Sequence, residues 1–352
     1  MAQDINKPRI YSIQALRGIA AFMVVVAHAI EHGPTLSGNS VIITGRFGVE
    51  IFFIISGLVI MLSAGQGTFS PKEFIIRRLW RVVPLYWLTT FMLTAITIFK
   101  PSILKTSVFE MEYFIKSLFF IPSPLPGSLD WRPIFKLGWT LNYEIFFYAL
   151  MAMTFWCKSY KIRAFVMVFV LSIFLVGSVF FDDKESILSY YFNLNILPFI
   201  IGVTLAFISP KKFIDIHRNA KIILALIAVV MTIMLYQMPY KSTKLIFGHI
   251  IMALSAGSIV VTFLSFEGKK YASFFKWCGD ISYSLYLTHM FILGIAWAII
   301  GRIDLLQDGF LNGAAIFAMI AASLLIADLV YRFVEKPLLR LIGSSANKAK
   351  SA

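Results

Sequence analysis

The sequence predicts an all-α polytopic membrane protein with about ten transmembrane helices and both termini in the cytosol. Three observations lead to this prediction. Of the 352 residues, 59% are hydrophobic and 14% are charged, and the mean hydropathy is +0.81; a soluble domain cannot bury so much apolar surface. Apolar runs of roughly 17–25 residues, the length that crosses a hydrocarbon core, recur along the chain. Lysine and arginine are also divided unevenly among the segments that separate those runs.

Ten apolar runs are long enough to be spans, at about residues 11–31, 45–64, 82–99, 137–157, 164–181, 187–209, 220–238, 245–266, 280–300 and 310–333. The longest segment outside them, 100–136, is rich in proline and is expected to cap one face of the bundle. No internal repeat or separable soluble domain is recognisable. Residues 1–340 are therefore predicted to form one transmembrane domain, and residues 341–352 a disordered cytosolic tail.

The basic residues predict the orientation. With the N-terminus inside, the inner segments hold 22 of the 32 Lys and Arg residues and the outer segments hold 10, five of which lie in segment 100–136. Cytosolic segments of membrane proteins carry such an excess. The formal net charge of +14 is therefore interpreted as topology and contact with lipid headgroups, and not as nucleic-acid binding.

The sequence contains no phosphate-cradling glycine loop followed by Lys-Ser/Thr, no paired-histidine metal motif and no Gly-x-Ser-x-Gly nucleophile elbow. The two cysteines, Cys157 and Cys278, fall near the predicted cytosolic face, where no structural disulfide is expected, and their spacing indicates no metal site. Any chemistry must therefore come from polar residues distributed over several spans, where ionisable groups are costly and usually functional.

The first span contains Arg17 and His28. The segment from Gly18 to Ile30 covers only about 20 Å of helix, so the span must extend back past Arg17. Arg17 and His28 are separated by eleven residues, close to three turns, and therefore share one helical face at roughly 16 Å. The alternative interpretation is a snorkelling arginine and a histidine bonded to a neighbouring helix.

Two acidic residues are predicted at a depth similar to that of His28, in the outer half of the bundle. Glu50 enters the second span within GRFGVEIFFIISG, and Glu144 lies about two turns into the fourth span within GWTLNYEIFFY. A carboxylate beside a histidine can fix its tautomer and raise its basicity. Alternatively, each acid simply pairs with a basic group inside the bundle.

An arginine cluster opens the third predicted span, within FIIRRLWRVVPLYW. Arg78 and Arg81 are three residues apart and face the same way, and Pro84 is expected in the first helical turn. Guanidinium groups near a helix N-terminus favour phosphate binding. The alternative is the ordinary excess of positive charge on the cytosolic side.

A further polar group begins the ninth span, GDISYSLYLTH. Ser282, Tyr286 and His289 are spaced i, i+4, i+7 and lie on one helical face. They are a possible secondary site, with His289 near the middle of the membrane. Hydrogen bonding between helices explains the pattern equally well.

Over nearly its whole length the sequence resembles the acyltransferase-3 family, which includes bacterial exopolysaccharide and O-antigen O-acetyltransferases. The joint presence and order of six segments carry the resemblance: IQALRGIAAFMVVVAHA, GRFGVEIFFIISGLVI, FIIRRLWRVVPLYW, GWTLNYEIFFYAL, ISYSLYLTH and YRFVEKPL. The family pattern of a basic residue, ten others and a histidine matches Arg17 and His28. The family arginine pair matches Arg78 and Arg81, and Glu50 stands where relatives often have aspartate.

The resemblance implies an O-acyltransferase of the bacterial inner membrane. It is expected to transfer an acetyl or similar short acyl group from cytosolic acyl-CoA to a hydroxyl of a cell-surface or lipid-linked carbohydrate. Acyl-CoA is then a donor substrate, and no permanently bound cofactor or metal is expected. A transporter or flippase for a polysaccharide precursor is the alternative, because such proteins also bury acids and histidines, but no matching halves are found.

The expected roles follow from these matches. Arg17, Arg78 and Arg81 would bind acyl-CoA, while His28, Glu50 and Glu144 would form the catalytic group. His28 acts either as a general base or as the carrier of a transient acyl group, and the sequence leaves both schemes open.

Overall fold

The computed structural model describes residues 10–31, 38–63, 69–100, 108–181, 186–243, 245–267, 273–300 and 309–340. In this part of the chain the fold is all-helical, with a single isolated bridge between Pro124 and Trp131 as the extended pairing, which confirms the predicted fold class. The predicted tail 341–352 lies outside the described residues. The helices are α1 (Tyr11–Glu31), α2 (Asn39–Ser63), α3 (Pro71–Phe99), α4 (Met111–Leu118), α5 (Gly138–Met153), α6 (Tyr160–Phe180), α7 (Ile187–Tyr191), α8 (Leu197–Ile208), α9 (Pro210–Ile214), α10 (Arg218–Gln237), α11 (Tyr240–Thr243), α12 (Ile246–Ser265), α13 (Ser273–Ile300) and α14 (Gly309–Val330).

Each predicted span contains a helix, and within the described ranges eight helices are long and apolar enough to cross a membrane. Helices α5 and α8, of 16 and 12 residues, are shorter, so the count of ten remains a prediction. Only 11% of the most apolar stretch of α10 is buried inside the protein. Apolar helices with so much exposed surface require lipid around them, and the chain is therefore a multi-pass membrane protein.

Two elements differ from the sequence prediction. Helix α3 begins at Pro71, well before residue 82, because the Ser70 side chain accepts a hydrogen bond from the Glu73 N–H and Pro71 suits the first helical position. The prediction that Pro84 stands in the first turn is therefore wrong, since Pro84 lies inside the helix. Arg78 lies about two turns beyond the N-terminus of α3. The unpaired backbone N–H groups of the first helical turn are therefore not next to its position.

The sixth predicted span is not one continuous helix. A 3₁₀ turn, Leu194–Ile196, separates α7 from α8, and the Asn193 side chain caps this turn by accepting from the Asn195 N–H. The apolar run is therefore interrupted by an asparagine that satisfies the backbone locally.

The chain divides into two compact units, residues 1–57 with 208–352 and residues 58–207, with the boundary inside α2. In the first unit α1 packs against α13, which in turn packs against α14, while α10 packs against α12. In the second unit α3 packs against α5, and the rings of Phe147 and Phe199 stack with their centroids 5.0 Å apart.

Candidate active site

The contact between α1 and α13 depends on two glycines. A Cβ atom on Gly279 would lie 2.1 Å from the carbonyl oxygen of Gln14, and one on Gly18 would lie 2.6 Å from the Cβ of Cys278. The Gln14 side-chain amide also donates to Asp280 at 3.0 Å. Small residues therefore let the two backbones approach closely, as is common between membrane helices.

This contact sets the register that brings two histidines together. The Nδ1 atom of His28 lies 2.9 Å from the Nε2 atom of His289, and the rings are stacked with centroids 5.2 Å apart. His28 and His289 each follow their contact glycine, Gly18 or Gly279, by ten residues. Helices α1 and α13 therefore run parallel, and the histidine carried by each meets the other.

Hydrogen bonding determines the tautomers of this pair when both rings are neutral. The Nδ1 atom of His289 lies 2.9 Å from the carbonyl oxygen of Leu285. A carbonyl only accepts, so His289 Nδ1 must carry the proton and His289 Nε2 must accept. His28 then donates from Nδ1, and its lone pair is on Nε2. His289 is fully buried and His28 is half-buried, which suits a fixed inner ring and a reactive outer one.

Of the other two members of the polar group on α13, Tyr286 lies beside His289. The Tyr286 ring centroid lies 6.2 Å from that of His289 and 6.0 Å from that of Phe52 on α2. The Ser282 hydroxyl donates to the Gly279 carbonyl at 2.9 Å, a bond within its own helix. Tyr286 thus contacts His289, whereas the Ser282 hydroxyl bonds to the backbone of its own helix.

Glu50 occupies a different level of the first unit. Gly48 allows α2 to approach α1, because a Cβ there would lie 2.7 Å from the Ala20 carbonyl oxygen and 3.0 Å from Val24. A Cβ on Gly45 would lie 3.1 Å from the Ala27 Cβ, so α2 runs antiparallel to α1. Glu50, two residues beyond Gly48, therefore lies near the level of Ala20, about two turns from His28. It is 4% exposed, and its Oε2 atom has no hydrogen-bond partner among the described residues. The predicted role of Glu50 in orienting His28 remains a prediction.

One turn before Glu50, Arg46 forms a contact that the sequence analysis missed. Its guanidinium donates to Nε2 of His249 at 2.7 Å, and Nδ1 of His249 lies 3.3 Å from the Leu245 carbonyl oxygen. Arg46 and Glu50 stand four residues apart, so a search for i, i+4 charge pairs would have found Arg46. The partner His249 is distant in sequence and gave no such signal.

The second unit contains the arginine cluster. Arg78 donates to the Ser63 hydroxyl at 2.7 Å, and its guanidinium lies over the rings of Phe74 and Tyr148, at 5.7 and 5.9 Å from the centroids. Arg81 and Glu144 are close enough to interact electrostatically with Arg78. The aromatic rings leave the guanidinium edge, which carries the N–H donors, for hydrogen bonding.

Glu144 belongs to this cluster. Its carboxylate accepts a hydrogen bond from the Tyr148 hydroxyl. The guanidinium of Arg78 lies over the ring of the same tyrosine. These surroundings support the alternative interpretation, in which the acid compensates basic groups inside the bundle. A catalytic role for Glu144 remains a prediction. Sequence reasoning missed Tyr148, although it stands at i+4 from Glu144 and is therefore on the same helical face.

Arg17, the third predicted donor-binding residue, is half-buried on α1 in the first unit, directly before Gly18. It lies at the end of α1 where Gly18 contacts α13, eleven positions before His28. Its proposed contact with acyl-CoA remains a prediction.

The chain belongs to the acyltransferase-3 family. The family model, described as an acyltransferase domain, matches residues 10–332, and these residues include every side chain discussed above. The histidine pair and the arginine cluster are thus parts of a membrane-embedded acyltransferase.

Three characterised relatives are similar over most of this chain. The exopolysaccharide production protein ExoZ of Rhizobium meliloti is 29% identical over 84% of this chain and 90% of the relative. The acyltransferase MdmB of Streptomyces mycarofaciens is 23% identical over 95% of this chain and 93% of the relative. The peptidoglycan O-acetyltransferase OatA of Listeria monocytogenes is 23% identical over 93% of this chain but only 55% of its own length. No solved structure matches.

Proposed function

We infer that this protein transfers an acetyl or similar short acyl group from cytosolic acyl-CoA to a carbohydrate hydroxyl at the bacterial inner membrane. Family membership supports acyl transfer, and the names of ExoZ and OatA, an exopolysaccharide production protein and a peptidoglycan O-acetyltransferase, support a carbohydrate acceptor. The observation that carries the proposal is the 2.9 Å contact between His28 Nδ1 and His289 Nε2, because it gives His28 the tautomer that a general base needs.

The reaction requires one proton to move twice. The acceptor hydroxyl gives its proton to Nε2 of His28 while its oxygen bonds to the thioester carbonyl carbon. The C–S bond then breaks, and the CoA thiolate leaves with the proton from His28. General base catalysis of this kind contributes about 10²–10⁴-fold. In the other scheme, Nε2 of His28 attacks the thioester carbonyl carbon, the C–S bond breaks and CoA thiolate leaves. The acceptor oxygen then attacks the acyl-imidazole, the N–C bond breaks to restore neutral His28, and the hydroxyl proton passes to the CoA thiolate.

The arginine cluster supplies the chemistry for the donor. CoA carries a 3′-phosphate and a pyrophosphate, and guanidinium groups bind phosphate oxygens through two parallel hydrogen bonds. Arg78 is held by Ser63 and by two aromatic rings, so its orientation is set before the donor arrives. Glu144 limits the net positive charge of the cluster, and Arg81 would add a second guanidinium to the phosphate contacts. The predicted contact of Arg17 with acyl-CoA is tested separately by substitution.

The assay that tests the function uses the purified protein in lipid nanodiscs with acetyl-CoA and with polysaccharide from its own host, de-O-acetylated by mild alkali. We expect CoA release in step with ester formation on the polysaccharide. Absence of both products from correctly folded protein contradicts the proposed reaction. Acetyl-CoA hydrolysis without esterification contradicts only the proposed acceptor.

Replacing Arg78 by alanine should weaken CoA binding by about ten- to a hundredfold, because one charge-assisted contact is worth roughly 1.5–3 kcal/mol. Arg81→Ala should act in the same direction. Isothermal titration of CoA into the purified protein measures the effect.

Two variants serve as controls for the arginine cluster. Arg77→Ala removes a neighbouring arginine whose side chain is 60% exposed and paired with Glu73, so CoA affinity should not change. Ser63→Ala removes the partner of Arg78 and keeps its charge, so the loss should be small. If Arg78→Ala and Arg81→Ala both bind CoA with wild-type affinity, the arginine cluster does not bind the donor and only contributes to the excess of positive charge on the cytosolic side.

The topology is tested by labelling single cysteines in a Cys157→Ser, Cys278→Ser background. The excess of Lys and Arg predicts that residues 31–46 and 182–186 lie outside and that residues 65–81 and 210–221 lie inside. Exposed positions are suitable, for example Ser40→Cys for the outer side and Lys212→Cys for the inner side. A membrane-impermeant maleimide should label the first in intact spheroplasts and the second only after lysis. Labelling of an Arg78→Cys variant from outside would overturn both the orientation and the donor assignment.

A further inference from the structure

A cleft of about 260 Å³ opens in the second unit, where the segment before α5 meets the junction of α7 and α8. The lining combines aromatic rings, two amides and charged groups, namely Leu129, Asp130, Trp131, Arg132, Lys136, Trp139, Tyr143, Tyr190, Asn193 and Asn195. None of these residues belongs to the arginine cluster. The proposed binding of acyl-CoA to the arginine cluster therefore does not account for the groups that line this cleft.

The aromatic wall of the cleft is rigid. The Trp131 ring lies 5.9 Å from the Tyr190 ring, which stacks on Tyr143 at 5.1 Å. The Tyr143 hydroxyl donates to the Tyr190 carbonyl at 2.9 Å. The bridge between Pro124 and Trp131 and the bond from the Leu125 N–H to the Asp130 carbonyl, 2.8 Å, hold the loop in place. Trp131 is half-buried, so part of its ring forms the cleft surface.

The polar wall of the cleft is nearly balanced in charge. Arg132 pairs with Asp130 at 3.1 Å, and Lys136 is exposed at the rim. Asn193 and Asn195 come from the interrupted sixth span, and Asn193 accepts from the Asn195 N–H at 3.0 Å. The Asn195 side chain also lies close to the Tyr143 hydroxyl. These groups offer both donors and acceptors in defined directions.

This combination fits a sugar better than it fits the other ligands of an acyltransferase. A pyranose ring has an apolar C–H face that stacks on an aromatic ring and an equator of hydroxyls that bond amides and carboxylates. A polyphosphate would meet the Asp130 carboxylate, and an acyl chain would place apolar surface against charged and amide groups that it cannot hydrogen-bond. At about 260 Å³ the cleft is slightly smaller than the roughly 300–1,000 Å³ of typical small-ligand pockets, so it suits about one sugar ring while the rest of the saccharide extends into solvent.

We propose that this cleft binds the saccharide acceptor, with Trp131 as the stacking platform. This rests on the proposed function and identifies where the acceptor is recognised. The cleft adjoins segment 100–136, which the charge distribution predicts to lie outside, on the side where a surface polysaccharide is available. The break between α7 and α8 thus contributes to acceptor binding, because it places Asn193 and Asn195 in the lining of the cleft.

The test measures the binding of oligosaccharides prepared by partial hydrolysis of the host's own de-O-acetylated polysaccharide. Trp131→Ala should weaken their binding to the protein in nanodiscs by about five- to tenfold, whereas Trp131→Phe should retain most of the affinity. Lys136→Glu, at an exposed position that does not endanger folding, should also weaken binding. Trp156→Ala is the matched control, because Trp156 is 60% exposed and follows the opposite end of α5.

Kinetics separate this proposal from the proposed function. In Trp131→Ala the KM for the oligosaccharide should rise while CoA affinity and acetyl-CoA hydrolysis stay at the wild-type level. Unchanged oligosaccharide binding and KM in both Trp131→Ala and Lys136→Glu would overturn the cleft assignment even if wild-type transfer is intact. Displacement of the oligosaccharide by CoA alone would also overturn it, since the cleft would then belong to the donor. A wild-type protein without transfer activity would instead contradict the proposed function.

Discussion

Replacing His28 by glutamine is expected to lower acyl transfer per folded molecule by about 10²–10⁴-fold, the usual contribution of a general base. Glutamine can still donate a hydrogen bond towards Nε2 of His289, so the packing of α1 on α13 should persist. It has no lone pair that takes up a proton near neutral pH. The measurement is CoA release and ester formation by the purified variant, with its thermal unfolding recorded in parallel.

The catalytic and the structural interpretations of His28 predict different results for substitutions in this helix. His28→Ala should be as inactive as His28→Gln while membrane levels stay normal. Arg17→Ala, at the other end of the same helix, should chiefly weaken acyl-CoA affinity and leave turnover at saturating donor nearly unchanged. If His28 only bridges two helices, His28→Gln should keep most of its activity and His28→Ala should lower protein abundance. Substantial activity in His28→Gln would move the proposed base to His289.

Hydropathy was sufficient to locate the helices but not all of their ends. The beginning of α3 was missed because Pro71 to Arg81 is too charged for an apolar window, and only the capping signal of Ser70, Pro71 and Glu73 marks it. The interruption of the sixth span at Asn193 was missed for the opposite reason, since one polar residue hardly changes the mean hydropathy of a long run. Orientation is predicted from the distribution of Lys and Arg and is the subject of the cysteine-labelling experiment.

The candidate site shows a similar division. Helical spacing identified His28 and His289 separately, but a one-dimensional pattern reports the face of a helix and not the partner of that face. Their meeting depends on the register of α1 against α13, which Gly18 and Gly279 determine through backbone contacts. Such contacts join residues more than 250 positions apart in the chain.

Depth estimates were less informative for the acids. Glu50 and Glu144 were expected at the level of His28 because both stand near predicted outer ends of spans. Helix α2 begins at Asn39, so Glu50 is three turns into its helix. Tyr148 contacts both Glu144 and Arg78. This contact could not be predicted from the sequence, because it depends on α3 and α5 being neighbours.

The second large effect is expected at His289, which we assign as a positioning residue for His28. Replacement by leucine removes the acceptor for His28 Nδ1, and His28 is then free to adopt the tautomer with its proton on Nε2. Loss of the group that fixes the tautomer of a catalytic histidine costs about 10⁴-fold in a serine protease triad. A partly exposed histidine retains solvent as a substitute partner, so we expect a loss of about 10²-fold or more in kcat. CoA affinity should not change.

Glutamine at position 289 distinguishes orientation from packing. Its side-chain carbonyl can accept from His28 Nδ1 while its NH₂ group donates to the Leu285 carbonyl, so His289→Gln should recover most of the turnover that His289→Leu loses. The expected pattern is therefore asymmetric, since glutamine is tolerated at position 289 and not at position 28. If His289 only packs against α1, leucine should preserve kcat and any damage should appear as a lower unfolding temperature. If the leucine and glutamine variants fold normally and are equally inactive, His289 itself takes up and releases protons. Glutamine keeps the hydrogen bonds of His289 but not its titratable ring.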